Sequence, residues 1–167
     1  TSSYFEFTDT IRTLLTSSNG HTIQGIIAHS LGGSATVNSI AKEKQPLEAV
    51  LVAPALRLAE VLKCFFDYVG VPTHLYHTLI QEYENQFGYD MRRDNPANLF
   101  KEINSEILIV HDKHDPTIPY ADSRELSNEF QNISLHTTEG LGHKRILTDE
   151  SVVDSIVNHF SNNGGEK

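Results

Sequence analysis

Cysteine is almost absent from this 167-residue chain: Cys64 is the only one. A single thiol excludes an intrachain disulfide and any zinc site built on cysteines. Cys64 precedes Phe65 and Phe66, a setting that predicts a buried structural thiol. A reactive cysteine would need an electropositive, partly exposed position. Positive charge is scarce too, with 13 Lys and Arg against 22 Asp and Glu and a net charge of −9. Nucleic acid and anionic membranes attract proteins through positive charge, so neither is an expected partner. No apolar run approaches the roughly 18 residues of a helical membrane span. No signal peptide is visible, so a cytoplasmic location is the expectation, for a chain that opens on Thr1 and not on Met. An apolar share of 38% suffices for one domain with a real core, spanning 1–167.

What is present is an alternation of short apolar runs and helical patterns. Phe7, Ile11, Leu14 and Leu15 recur at helical spacing, and Asn19-Gly20 ends that pattern. Thr22 to Ala28 reads as a buried strand, followed by a helix through Val37, Ile40 and Ala41. Leu47 to Ala53 is a second apolar strand. Residues 56–102 break the rhythm, with Leu62, Phe65, Phe66, Tyr68, Leu75, Tyr76 and Leu79 among polar residues. They predict two or three helices forming an insertion. Ile107 to Val110 is a third strand, Leu126 and Phe130 mark a helix, and Ile133 to Thr137 is a fourth strand. Val152, Val153, Ile156, Val157 and Phe160 form the stripe of a last amphipathic helix. Such alternation predicts an α/β fold, with about four parallel strands and helices on both faces.

Ligands of such sheets bind beyond the carboxyl ends of the strands, and three strand ends carry chemistry. The first reads Ala28-His29-Ser30-Leu31-Gly32-Gly33. A serine on a sharp strand-to-helix turn needs small neighbours, here Ala28 and Gly32, and the following helix aims its positive end at the site. The third strand runs into His111-Asp112-Lys113-His114-Asp115-Pro116. A carboxylate at Asp115 could orient an imidazole and stabilise it once protonated. The fourth leads to Gly140-Leu141-Gly142-His143, where paired glycines can carry a histidine back over the sheet. Taken singly, each has an ordinary structural reading: a helix cap, an Asp-Pro turn, a surface histidine. Taken together, a serine, an aspartate and a histidine in that order, each just past a separate strand, point to nucleophilic catalysis.

These motifs resemble the α/β-hydrolase superfamily. The likeness runs from about residue 5 to 161, through AHSLGG, the insertion, Asp115-Pro116-Thr117-Ile118-Pro119 and Gly140-Leu141-Gly142-His143. The His111-Asp112 pair is similar to one these enzymes often carry before the acid. The resemblance implies a serine hydrolase of a small carboxylic ester or related acyl substrate. Ser30 would be the nucleophile, His143 the base, Asp115 the acid and the Leu31 N–H one oxyanion donor, with no cofactor and no metal. It implies a helical cap at 56–102, with His29, Tyr76 and His77 as substrate-binding candidates. Only a helix and one strand precede Ser30, so the expected architecture is the C-terminal portion of the family fold. A further N-terminal segment or a dimer partner would then cover the sheet edge. The second reading is a truncated, inactive hydrolase-like fragment with a structural or binding role. A metal-binding module, from His74-x-x-His77 or His111-x-x-His114, is a weak third: i,i+3 histidines without carboxylates nearby on the same helix are a weak zinc signal, and His111 and His114 sit on a loop already accounted for.

Overall fold

The four apolar runs become four strands in the computed structural model, which describes residues 4–17, 23–44, 46–88, 90 and 95–163. They are β1 (Gly25–His29), β2 (Glu48–Val52), β3 (Ile107–Asp112) and β4 (Ile133–Thr138). They lie side by side in chain order, and every pairing is parallel. The Asn19-Gly20 stop signal and Thr22, the expected first residue of the first strand, lie outside the described residues.

Parallel neighbours require crossovers, and each crossover carries helix. Helix α1 (Tyr4–Thr16) precedes the sheet, and α2 (Leu31–Glu43) joins β1 to β2. Helices α3 (Leu58–Tyr68), α4 (Thr73–Phe87) and α5 (Pro96–Leu99), with a 3-10 turn at Phe100–Glu102, lie between β2 and β3. Helix α6 (Tyr120–Glu129) joins β3 to β4. After β4 come α7 (Gly142–Arg145), a 3-10 turn and α8 (Glu150–Asn163).

Side chains alternate across a strand, and here both faces are covered, which is why the strands read as continuous apolar runs. Ala49, Leu51, Ile107, Ile109 and Ile133 pack with Val37 and Ile40 of α2, Phe100 and Leu126 of α6. Val50, Val52, Leu108 and Val110 point the other way, against Val152, Ile156 and Phe160 of α8. Burying each such aliphatic side chain contributes about 1.5–3 kcal/mol. Gly25 lets α8 approach β1, since a Cβ there would overlap the Phe160 ring. Helix α2 is buried from Gly33 to Ala41. Two of its small polar residues bond backbone: Ser34 donates to the Ala55 carbonyl, and Ser39 to the Ala35 carbonyl at 2.8 Å.

Several expectations are corrected by packing. Cys64 is exposed. Helix α3 packs through Leu58, Ala59 and Leu62, and Cys64, two residues past Leu62, falls on the opposite side. Helix α1 buries Tyr4, Thr8 and Leu15, while Phe7 and Leu14 are exposed, so its inward stripe is rotated from the expected one. In α8, Val153 and Val157 lie outside the stripe and are exposed. His111 and Asp112 are the last two residues of β3 and not part of the loop after it. Among the described residues β1 pairs only with β2, and Ile27 on it is 59% exposed.

Candidate active site

Because the strands are parallel, the loops leaving β1, β3 and β4 emerge at one end of the sheet. Ser30 follows β1 with φ 55° and ψ −123°. A side chain rarely adopts that backbone, and such strain costs on the order of 1–3 kcal/mol. Three hydrogen bonds hold it: the Ser30 N–H donates to Val52 at 3.0 Å, and its carbonyl accepts from Gly33 at 3.0 Å and Ala55 at 3.2 Å. The Ser30 side chain makes no capping bond to α2, so the helix-cap reading fails. The need for a small residue falls on Gly33, where a Cβ would lie 2.8 Å from the Pro54 Cβ. Gly32 has open space around it.

Gly140 and Gly142 both have positive φ, 88° and 66°. That pair turns the loop after β4 back over the strand ends and delivers His143. Its Nε2 lies 3.1 Å from the Ser30 Oγ, and its Nδ1 lies 2.7 Å from the Asp115 Oδ2. A carboxylate only accepts, so Nδ1 carries the hydrogen and Nε2 accepts from the Ser30 hydroxyl. The other oxygen of Asp115 accepts from the Thr117 N–H at 2.8 Å and the Ile118 N–H at 3.0 Å. Burial of the carboxyl opposes ionisation. The Ile118 N–H, His143 and the Thr117 N–H outweigh it and hold Asp115 below the usual carboxylate range. Residues 113 positions apart in sequence, Ser30 and His143, thus meet through one hydrogen bond.

Asp112 is a site residue that sequence reasoning missed. Fully buried, it accepts from the His114 N–H at 2.9 Å, the Thr138 hydroxyl at 2.9 Å and the Leu141 N–H at 2.8 Å. Burial opposes its charge, but the bonds from Leu141, His114, Thr138 and Gly142 prevail and lower its pKa to about 2. One carboxylate thereby ties the Asp115 loop to the loop that carries His143. Besides the His111-Asp112 pair already noted, the sequence signal was an acidic residue at the end of an apolar strand, where a buried charge needs several donors.

The remaining candidates divide. The His29 Nε2 donates to the His143 carbonyl at 2.9 Å, and the two rings lie 4.7 Å apart. Burial is the main cause that lowers the pKa of His29. Leu31 opens α2 beside Ser30. Tyr76 is buried between α3 and α4, with its hydroxyl on the Ala59 carbonyl at 2.9 Å, and His77 is exposed. Neither is hydrogen-bonded to Ser30, Asp115 or His143 among the described residues. His74 and His77 are both exposed on α4, whereas His111 is buried and His114 exposed. Among the described residues no three His, Cys, Asp or Glu side chains converge as a metal site would require.

Comparison with known proteins agrees with this fold. A family model described as TAP-like protein matches residues 86–167. Est1E from Butyrivibrio proteoclasticus superposes with a TM-score of 0.66 at 15% identity, over 96% of this chain and 72% of that one. An esterase from Pyrococcus furiosus does so with 0.65 at 18%, over 95% and 62%. MGS-MChE2, an alpha/beta hydrolase from a metagenome of lagoon sediments at Mar Chica, Morocco, gives 0.67 at 13%, over 96% and 71%. No curated protein matches the chain in sequence. The chain has the α/β-hydrolase fold.

Proposed function

We propose that the protein is a serine hydrolase that cleaves a small carboxylic ester, or a related acyl substrate, through an acyl-enzyme. The carrying observation is the unbroken relay from the Ser30 Oγ through His143 to the buried Asp115. In this reading the His143 Nε2 removes the Ser30 proton as Oγ bonds to the substrate carbonyl carbon. The same nitrogen returns that proton to the departing alkoxide. Water, deprotonated by His143, then releases the acid and restores Ser30. Asp115 keeps the proton of His143 on Nδ1 and stabilises the imidazolium between the two transfers. The Leu31 N–H, at the positive end of α2, is one donor to the oxyanion. The strained Ser30 backbone supports the assignment, because strain of this kind collects where a side chain must be presented outward. One of the structural neighbours is an esterase by name, which makes esters the first substrates to try.

The insertion formed by α3, α4 and α5 is proposed as the cap over the acyl pocket, with His29 holding the base loop. Labelling by a serine-reactive fluorophosphonate and turnover of short-chain p-nitrophenyl esters test the reading. Both are expected in the native chain and neither in Ser30→Ala. Labelling that survives in Ser30→Ala would overturn the assignment of the nucleophile. No labelling and no turnover by the folded chain would favour a structural or binding role instead.

A further inference from the structure

His111 lies behind the relay and takes no part in the chemistry just described. Its side chain is fully buried at the end of β3. The Nδ1 atom lies 2.6 Å from the Ser123 Oγ of α6. The Nε2 atom lies 3.3 Å from the Ile118 carbonyl and 3.4 Å from the Asp115 Oδ2. That oxygen is the one that holds His143.

Both neighbours of Nε2 are acceptors, so Nε2 carries a hydrogen and shares it between them. In a neutral ring Nδ1 is then a lone pair, and the Ser123 hydroxyl donates to it. The opposite tautomer would set a nitrogen lone pair against a carboxylate. The groups around the ring are Asp115, His143, Ser123 and the edge of Tyr120, whose ring centre is 5.8 Å away. Burial lowers the pKa of His111, with the Asp115 charge and the Ile118 carbonyl acting the other way and His143 lowering it further. A neutral ring fits the arrangement. A charged one would compete with His143 for the same oxygen and would repel the imidazolium formed during catalysis. A neutral N–H adds a donor and no charge.

We propose that His111 is a positioning residue: its Nε2–H and the His143 Nδ1–H grip one oxygen of Asp115 from two sides, and Ser123 fixes the tautomer that allows it. The proposal rests on the reading of Ser30, His143 and Asp115 as a catalytic relay. With Thr117 and Ile118 on the other oxygen, all four contacts stop the carboxylate from rotating. Five side chains then form one chain of polar contacts: Ser123, His111, Asp115, His143 and Ser30.

The test uses the full chain and does not depend on turnover. The His143 Nδ1–H proton is followed by NMR and assigned by its loss in His143→Gln. His111→Phe keeps an aromatic ring and removes the donor. His111→Gln restores an amide N–H, and Ser123→Ala removes the group that fixes the tautomer. The expected result is a displaced or exchange-broadened resonance in His111→Phe, recovery in His111→Gln, and a smaller displacement in Ser123→Ala. For a chain that hydrolyses esters, His111→Phe lowers kcat about tenfold, the effect of roughly one hydrogen bond, with KM unchanged. Recovery in His111→Gln is expected there too. A resonance unmoved in both His111→Phe and Ser123→Ala overturns the proposal. Should His111→Phe fail to fold, Ser123→Ala decides alone, its unmoved resonance again being the overturning result. Absence of Ser30-dependent turnover overturns the functional reading, and the NMR comparison still decides how Asp115 is held.

Discussion

The loops beyond β3 and β4 and the helices α3 and α4 meet opposite physical demands. In the loops, buried polar groups are tied on every side: Asp112 by four donors and Asp115 by Thr117, Ile118 and His143. In α3, α4 and the turn between them, Phe65, Tyr68, Val69 and Leu75 stand exposed, Tyr68 at 87%. This pair is held by Leu58 against Tyr4 and Ala35, with Leu62 and Ile80 packed beside them, the Phe66 and Tyr76 rings edge to face and the Tyr76 hydroxyl on Ala59. Proton transfer tolerates errors of a few tenths of an ångström, so its supports are directional bonds in a dry setting. A helical pair packed through a small apolar contact can shift with far less penalty. The difference teaches that the precision of this fold is concentrated at the carboxyl ends of its strands.

Substitutions can break that contrast. The largest effect is expected from Ser30→Ala, which should lower ester turnover by at least about 1,000-fold and leave the unfolding midpoint near that of the native chain. Ser30→Gly should be just as inactive but more stable by about 1 kcal/mol, since glycine accepts a positive φ. Denaturant unfolding distinguishes the two, and a Ser30→Gly less stable than Ser30→Ala would show that the elbow stores no strain.

Asp112→Asn should cost about 2–3 kcal/mol, because an amide turns one acceptor into a donor that faces backbone N–H groups. The folded pKa of Asp112 is depressed, so its contribution is complete above the ordinary carboxylate range and is lost as pH falls from about 4 toward about 2. Urea titrations across that window should show the native chain losing an increment that Asp112→Asn never had. Parallel curves for the two would sink this account of the staple.

Gly33→Ala should be destabilised by about 1–3 kcal/mol through overlap with Pro54. Gly32→Ala should instead gain up to about 1 kcal/mol from helix propensity. A reversal of that order in thermal melts would mean the elbow packs through Gly32 after all. Smallest of all, Tyr76→Phe should lose about 0.5–1.5 kcal/mol, the value of one neutral hydrogen bond. A loss as large as that of Asp112→Asn would erase the contrast between the two regions.

Much of this molecule was legible because the relevant signals are local. Apolar runs of five or six residues mark the strands, Gly140 and Gly142 mark a turn, and a serine between Ala28 and Gly32 marks a bend. Each signal is carried by neighbours in the chain. The order Ser30, Asp115, His143 needed no distances to be suspected. Facing was harder. Phe7, Leu14, Val153 and Val157 are as apolar as their buried neighbours, and Cys64 sits beside two phenylalanines, yet all five are exposed. Which side of a helix turns inward depends on what lies against it.

The sequence by itself determined the parallel α/β order and the residue types at its three strand ends, because periodicity and turn chemistry act over a few residues. Only the tertiary structure decided that Asp112 is a staple, that His111 reaches Asp115 from behind and that Gly33 must be small. Each of those contacts depends on the register of β3 against β4, which sets Asp112 opposite Thr138, or on helices resting at the strand ends. A hydrogen bond spanning 26 or 29 residues leaves no pattern in either segment alone, since burial and direction arise only once the two have been brought together.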